Sequence, residues 1–259
     1  RTISVADGVT ITCLVDQPAD AEAHTTAVLL PGNGGDGTQY DVLVPHLTSS
    51  GFRTLRPHPR GAAGSAGPLN GVTLADLADD VAAVIDALVE LPVVVIGRAF
   101  GNRVARMLAT RRPDLVDRLV LMSAGGLVDV DPAIGILHRR MFDRTATEAD
   151  RYEAWEAVNV APVNRGTGLR RPRSWPDLAV AQMRAPDATS DGGWWTGGSA
   201  PMLVIQGTED RMAPVANGHL LAEEVGDRAT VVDLPDVGHA LLLERPEAVA
   251  ATIVTWLRT

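Results

Sequence analysis

The sequence contains no lysine; all 23 of its basic residues are arginine. That absence excludes a Schiff-base lysine, pyridoxal-phosphate attachment and a lysine-dependent phosphate loop. Cysteine is almost absent as well. The single Cys13 cannot close an internal disulfide, which fits a reducing cytoplasm. Its place in an early strand, expected over residues 11–15, makes it a buried and inert thiol. The six histidines, at 24, 46, 58, 138, 219 and 239, show no HxH, HExxH or Cys/His spacing. No metal site and no cofactor are therefore expected. No apolar run reaches the ~20 residues that cross a bilayer. No run of basic residues offsets the net charge of −9, so neither a membrane nor a nucleic acid is an expected partner. What remains is a small-molecule substrate, and nothing in the sequence marks an oligomeric state.

What is present is the profile of a globular α/β protein. Hydrophobic residues make up 46% of the 259 residues and charged ones 21%, enough for one large domain with a sizeable core. Short apolar runs at 26–30, 52–55, 93–96, 119–122, 202–206 and 230–234 read as buried strands. Between them, helices are expected over 38–50, 74–88, 101–112 and 247–257. Leu74, Leu77, Ala78, Val81, Val84, Ile85 and Leu88 recur at helical spacing, with Asp76, Asp79, Asp80 and Asp86 on the other face. Alternation of this kind predicts a mostly parallel sheet with helices on both faces. The rhythm stops between Gly125 and Ser199, where four of the five tryptophans fall. The expectation is a core over 1–126 and 199–259, interrupted by a helical cap insertion over 127–198 whose apolar residues are too scattered for a core of its own. A ligand crevice forms at the carboxyl edge of such a sheet, and the cap would lie over it.

Three places carry chemistry. Val93-Val94-Val95-Ile96-Gly97-Arg98-Ala99-Phe100-Gly101 is a strand turning sharply into a helix, with glycines two residues either side of position 99. Such an elbow lifts residue 99 above the sheet and turns the Phe100 N–H toward a developing oxyanion. Downstream, Gly207-Thr208-Glu209-Asp210 sets an aspartate just past a strand, and Gly238-His239 sets a histidine past the next. All three project from one sheet edge in the order nucleophile, acid, base.

These motifs make the chain resemble the α/β-hydrolase superfamily over nearly its whole length. The resemblance implies that Leu30-Pro31-Gly32-Asn33-Gly34 is the oxyanion loop, with Asn33 giving the second N–H beside that of Phe100. It also matches Arg56-Pro57-His58-Pro59-Arg60-Gly61 to the family's Asp-X-Arg-Gly loop, with His58 in place of aspartate. The elbow itself departs from the usual Gly-His-Ser-X-Gly-Gly. Here Gly97-Arg98-Ala99-Phe100-Gly101-Asn102 resembles a group of the superfamily with Gly-X-Ala-Phe-Gly-Asn at this place.

Alanine has no lone pair with which to attack, so no acyl-enzyme forms at residue 99. Ser123 and Ser65 lie on other segments, as strand-end or turn hydroxyls. An alanine here is either a substitution arresting a serine enzyme or native to a branch that kept acid and base; the departures at Pro31, His58, Arg98 and Asn102 favour the second. The reading is a hydrolase-like enzyme acting on a small, apolar carbonyl compound: an ester, lactone, thioester or C–C bond. His239 and Asp210 are its base and acid, and Ala99 stands at the nucleophile position. Arg98, Trp194 and Trp195 are the candidates for binding substrate. Two alternatives stay open: a lyase- or isomerase-type general-base enzyme, and a non-catalytic binder of small molecules.

Overall fold

The computed structural model describes residues 1–18, 25–90, 92–189 and 192–259; His24 lies outside them. Eight strands form one sheet: β1 (Thr2–Ala6), β2 (Val9–Asp16), β3 (Thr25–Leu30), β4 (Phe52–Pro57), β5 (Val93–Arg98), β6 (Val116–Met122), β7 (Met202–Gly207) and β8 (Ala229–Leu234). Their spatial order is β1-β2-β4-β3-β5-β6-β7-β8. Strand β2 is antiparallel to both its neighbours, and every pairing from β4 to β8 is parallel. Val93 to Ile96 are at most 2% exposed. A strand covered on both faces needs an unbroken apolar run of this kind.

The helices are α1 (Val44–Ser49), α2 (Leu74–Leu88), α3 (Phe100–Arg111), α4 (Pro132–Arg140), α5 (Glu148–Asn159), α6 (Pro176–Ala188), α7 (Ala216–Val225), α8 (Leu241–Glu244) and α9 (Pro246–Leu257). Two apolar cores result, one on each face of the sheet. The apolar sides of α2 and α3 fill the first, and those of α1 and α9 the second. Thr73 opens α2 with a capping box to Asp76, which satisfies free N–H groups at the helix start. Cys13 is fully buried in β2, and burial pushes its thiol up to about 11.

The helix expected over 38–50 is two pieces. A 3-10 turn covers Gly37–Tyr40, capped by Asp36, and α1 begins only at Val44. Residues 41–43 form a turn between the two pieces, and Pro45 sits in the first turn of α1, where its missing N–H costs no hydrogen bond. The short strand β1 escaped the sequence reading, although Asp7-Gly8 is a hairpin turn signal and Gly8 has φ 71°.

Between β6 and β7 the described residues add no strand, only α4, α5, α6 and two 3-10 turns. The insertion's buried apolar residues form a cluster that it shares with the core rather than one of its own. Ile134, Met141, Ala154, Trp155, Val158 and Val160 pack with Ala240 from the loop after β8. The apolar residues look scattered in sequence because three separate segments contribute to that cluster.

Candidate active site

Ala99 joins β5 to α3 with φ 49° and ψ −113°, a conformation that costs a residue with a β-carbon on the order of 1–3 kcal/mol. Its N–H donates to the Met122 carbonyl at 2.9 Å, and its carbonyl accepts from the Asn102 N–H at 3.1 Å. Gly101 is required by close approach, since a β-carbon there would run into the Leu30 carbonyl. The elbow therefore packs directly onto the end of β3, which is where the loop containing Asn33 begins.

Asp210 lies just beyond β7 and His239 just beyond β8. The His239 Nδ1 is 2.8 Å from Asp210 Oδ2 and 3.0 Å from Oδ1. Oδ1 also accepts the Met212 and Ala213 N–H groups, at 2.9 and 2.7 Å. Asp210 is 4% and His239 8% exposed. An acceptor carboxylate at Nδ1 places the proton there and leaves Nε2 as the basic nitrogen. Nε2 has no partner among the described residues.

A cleft of about 250 Å³ opens over this edge. Asn33, Ala99, Phe100, Ser123 and His239 line its floor, with Met212 and Ala213 at one side. His138 from α4, and Gln182 and Met183 from α6, line it from the insertion. The Phe100 and Asn33 N–H groups donate to no oxygen among the described residues, so both are free donors beside Ala99. Gln182 Oε1 accepts the Gly34 N–H at 2.7 Å, which fixes the loop that carries Asn33. The Ser123 hydroxyl donates to the His239 carbonyl at 3.4 Å, not to its ring. The Ser65 hydroxyl donates to the His58 carbonyl. Neither serine takes the nucleophile's place. The His138 ring makes no hydrogen bond among the described residues, and burial, with His239 and Arg139 adding to it, pulls its imidazole down to about 4.

The three residues expected to bind substrate stand elsewhere. Arg98 does not line this cleft but an adjoining cavity that shares Asn33 with it; it donates through Nη2 to the His239 carbonyl at 2.9 Å and so holds the loop of the base. Trp194 and Trp195 are not among the residues lining the cleft. They pack edge-to-face on each other, the buried Arg106 guanidinium lies against both rings at 4.8 and 4.4 Å, and the Trp195 indole N–H donates to Glu224. Trp175 donates to Asp36 at 2.9 Å. His58, in the loop after β4, accepts the Gly37 N–H at 3.1 Å and is a buried corner residue.

The loop bearing His239 is footed on the insertion. The Ala240 N–H donates to the Asn159 carbonyl at 2.7 Å. Glu244 accepts the Gly238 and Ala161 N–H groups, each at 2.9 Å. A β-carbon on Gly238 would lie 2.6 Å from the Asn159 oxygen. The glycine before the histidine is thus dictated by the end of α5.

Sequence reasoning missed Arg103, His138 and Gln182. Arg103 was within reach, because four residues past Ala99 on α3 is the same helix face.

The fold and the edge it builds are those of a hydrolase-like enzyme. The chain belongs to the alpha/beta hydrolase family, whose profile matches residues 27–252. It is 27% identical over 246 residues to BpoC of Mycobacterium tuberculosis H37Rv, provisionally named a non-heme bromoperoxidase, covering 86% of this chain and 89% of that one. Rhodomycin D methylesterase DauP of Streptomyces sp. strain C5 is 26% identical over 282 residues, covering 94% of this chain and 93% of its own. The crystal structure of a bromoperoxidase from Bacillus anthracis superposes with TM-score 0.81 at 18% identity, covering 100% of this chain and 99% of that one.

Proposed function

We propose that this enzyme adds water to the carbonyl of a small ester, lactone or thioester without forming an acyl-enzyme. The observation that carries the reading is the convergence of a free His239 Nε2 and two free N–H donors on a cleft floored by the Ala99 methyl. A water over that methyl gives its proton to Nε2 as its oxygen bonds to the carbonyl carbon. The carbonyl oxygen becomes an oxyanion, held by the Phe100 and Asn33 N–H groups. Asp210 stabilises the imidazolium so formed. Collapse expels the alkoxide or thiolate, which takes the proton back from His239. The methylesterase name of one relative agrees with ester chemistry.

Hydrolysis of p-nitrophenyl butyrate tests this. The parent protein should release nitrophenol without a burst, and His239→Ala should lower the rate by about 10²–10⁴-fold. Ala99→Ser should add a burst of product, because a serine at the elbow would be acylated beneath the same donors. Equal rates for the parent and His239→Ala would end the general-base reading.

A further inference from the structure

Helix α3 carries three arginines, and two of them are paired with oxygen. Arg106 donates to Asn102 Oδ1 at 2.8 Å and to the carbonyls of Gly125 and Trp195 at 3.1 and 3.2 Å. Arg111 meets Asp79 at 3.0 Å. Arg103 is half-buried and has no hydrogen bond or ion pair among the described residues. Its nearest recorded contact is the Trp194 ring, whose centroid lies 6.0 Å from Cζ. Its five N–H donors thus have no protein acceptor among the described residues, and they open to the solvent of the cleft, where a carboxylate can take the place of water.

Arg103 also lines the cleft above Ala99. No aspartate or glutamate is among the described lining residues; Asp210 sits behind His239. Asp187 acts on Arg103 only at longer range, opposing the pull of burial on its guanidinium. The cleft is therefore locally cationic in a chain of net charge −9. The large apolar side chains that share the lining with Arg103 are Phe100, Met183 and Met212.

We infer that the substrate is a carbonyl compound bearing a carboxylate, which Arg103 clamps while the carbonyl lies over Ala99. This rests on the hydrolytic reading for the carbonyl's place, and adds the charge at the other end. Guanidinium and carboxylate match as a bidentate pair. Four residues along a helix rise ~6 Å, so an extended linker of a few methylenes joins the two groups.

The probes are 6-oxoheptanoate and its neutral counterpart 6-oxoheptanamide, ketones that cannot be hydrolysed, with binding measured by calorimetry. The parent should bind the acid at least about tenfold more tightly than the amide, the scale of one charge-assisted pair. Arg103→Gln should bring the ratio near one, with circular dichroism and a urea midpoint like the parent's showing that the variant is folded. Arg103→Lys should keep part of the preference. A parent that binds both alike overturns the inference without reference to any variant, as does a preference that survives Arg103→Gln. Turnover of nitrophenyl butyrate reports separately on the hydrolytic reading. Loss of His239-dependent turnover with the acid preference intact would remove the mechanism and keep the anion site. The opposite pattern would do the reverse.

Discussion

Ala99 is held at φ 49° and ψ −113° although nothing on its own side chain acts. The surrounding fold imposes that geometry, through the Met122 carbonyl and the packing of Gly101 on β3. Glycine adopts positive φ without the clash of a β-carbon, so Ala99→Gly should not destabilise the protein and should stabilise it by up to about 1 kcal/mol. Urea denaturation measures this, and a loss of stability would show that the methyl packs usefully in the cleft floor. At this scale the sequence was legible where a motif fixes a residue's neighbours. Asp210 and His239 each follow a strand with a glycine nearby, and they meet at 2.8 Å. It was illegible where a side chain had a choice of direction. Arg98 sits beside the elbow, yet it turns to the His239 carbonyl, while Arg103, one turn along, faces the cleft.

Among elements, α4 couples the insertion to protons. His138 projects from it into the cleft with its imidazole lowered to about 4 by burial, against an ordinary value near 6.5. Between those values the unfolded chain binds the proton and the folded one does not, so stability rises with pH across that window and falls as pH drops from about 6.5 toward 4. The full loss is on the order of 3 kcal/mol, and His58, also lowered by burial, acts with the same sign. His138→Gln should therefore flatten the acid side of a stability–pH curve recorded by thermal or urea unfolding. An unchanged slope would contradict the burial of a neutral His138. Elements with strong periodicity, such as α2, were readable in full. The 38–50 stretch was not, since a turn over 41–43 divides it, and β1 was missed because its alternation is half exposed. The tryptophans misled for a related reason. An aromatic cluster in an insertion signals a partner surface, and that partner proved to be the Arg106 guanidinium rather than a substrate.

Taken whole, the molecule repels what its cleft attracts. A net charge of −9 sets up a long-range field opposing an anion, whereas Arg103 acts within a few ångströms. Salt shortens the reach of the first from ~30 Å at 0.01 M to ~8 Å at 0.15 M and touches the second far less. Stopped-flow tryptophan fluorescence should thus show the association rate of 6-oxoheptanoate increasing with salt over that range. A falling rate would mean that the local field governs approach as well. The α/β architecture was predictable at this level from alternation alone; the seating of the insertion was not, because it depends on contacts between segments about eighty residues apart. Those contacts carry a consequence for anyone recombining such proteins. Asn159, Ala161 and Glu244 tie the end of α5 to the loop that presents His239. The roof is consequently not a module that can be transplanted by cutting at β6 and β7. A graft bringing another protein's insertion would also have to bring residues 238–244, or the imidazole would lose its footing along with the old cover.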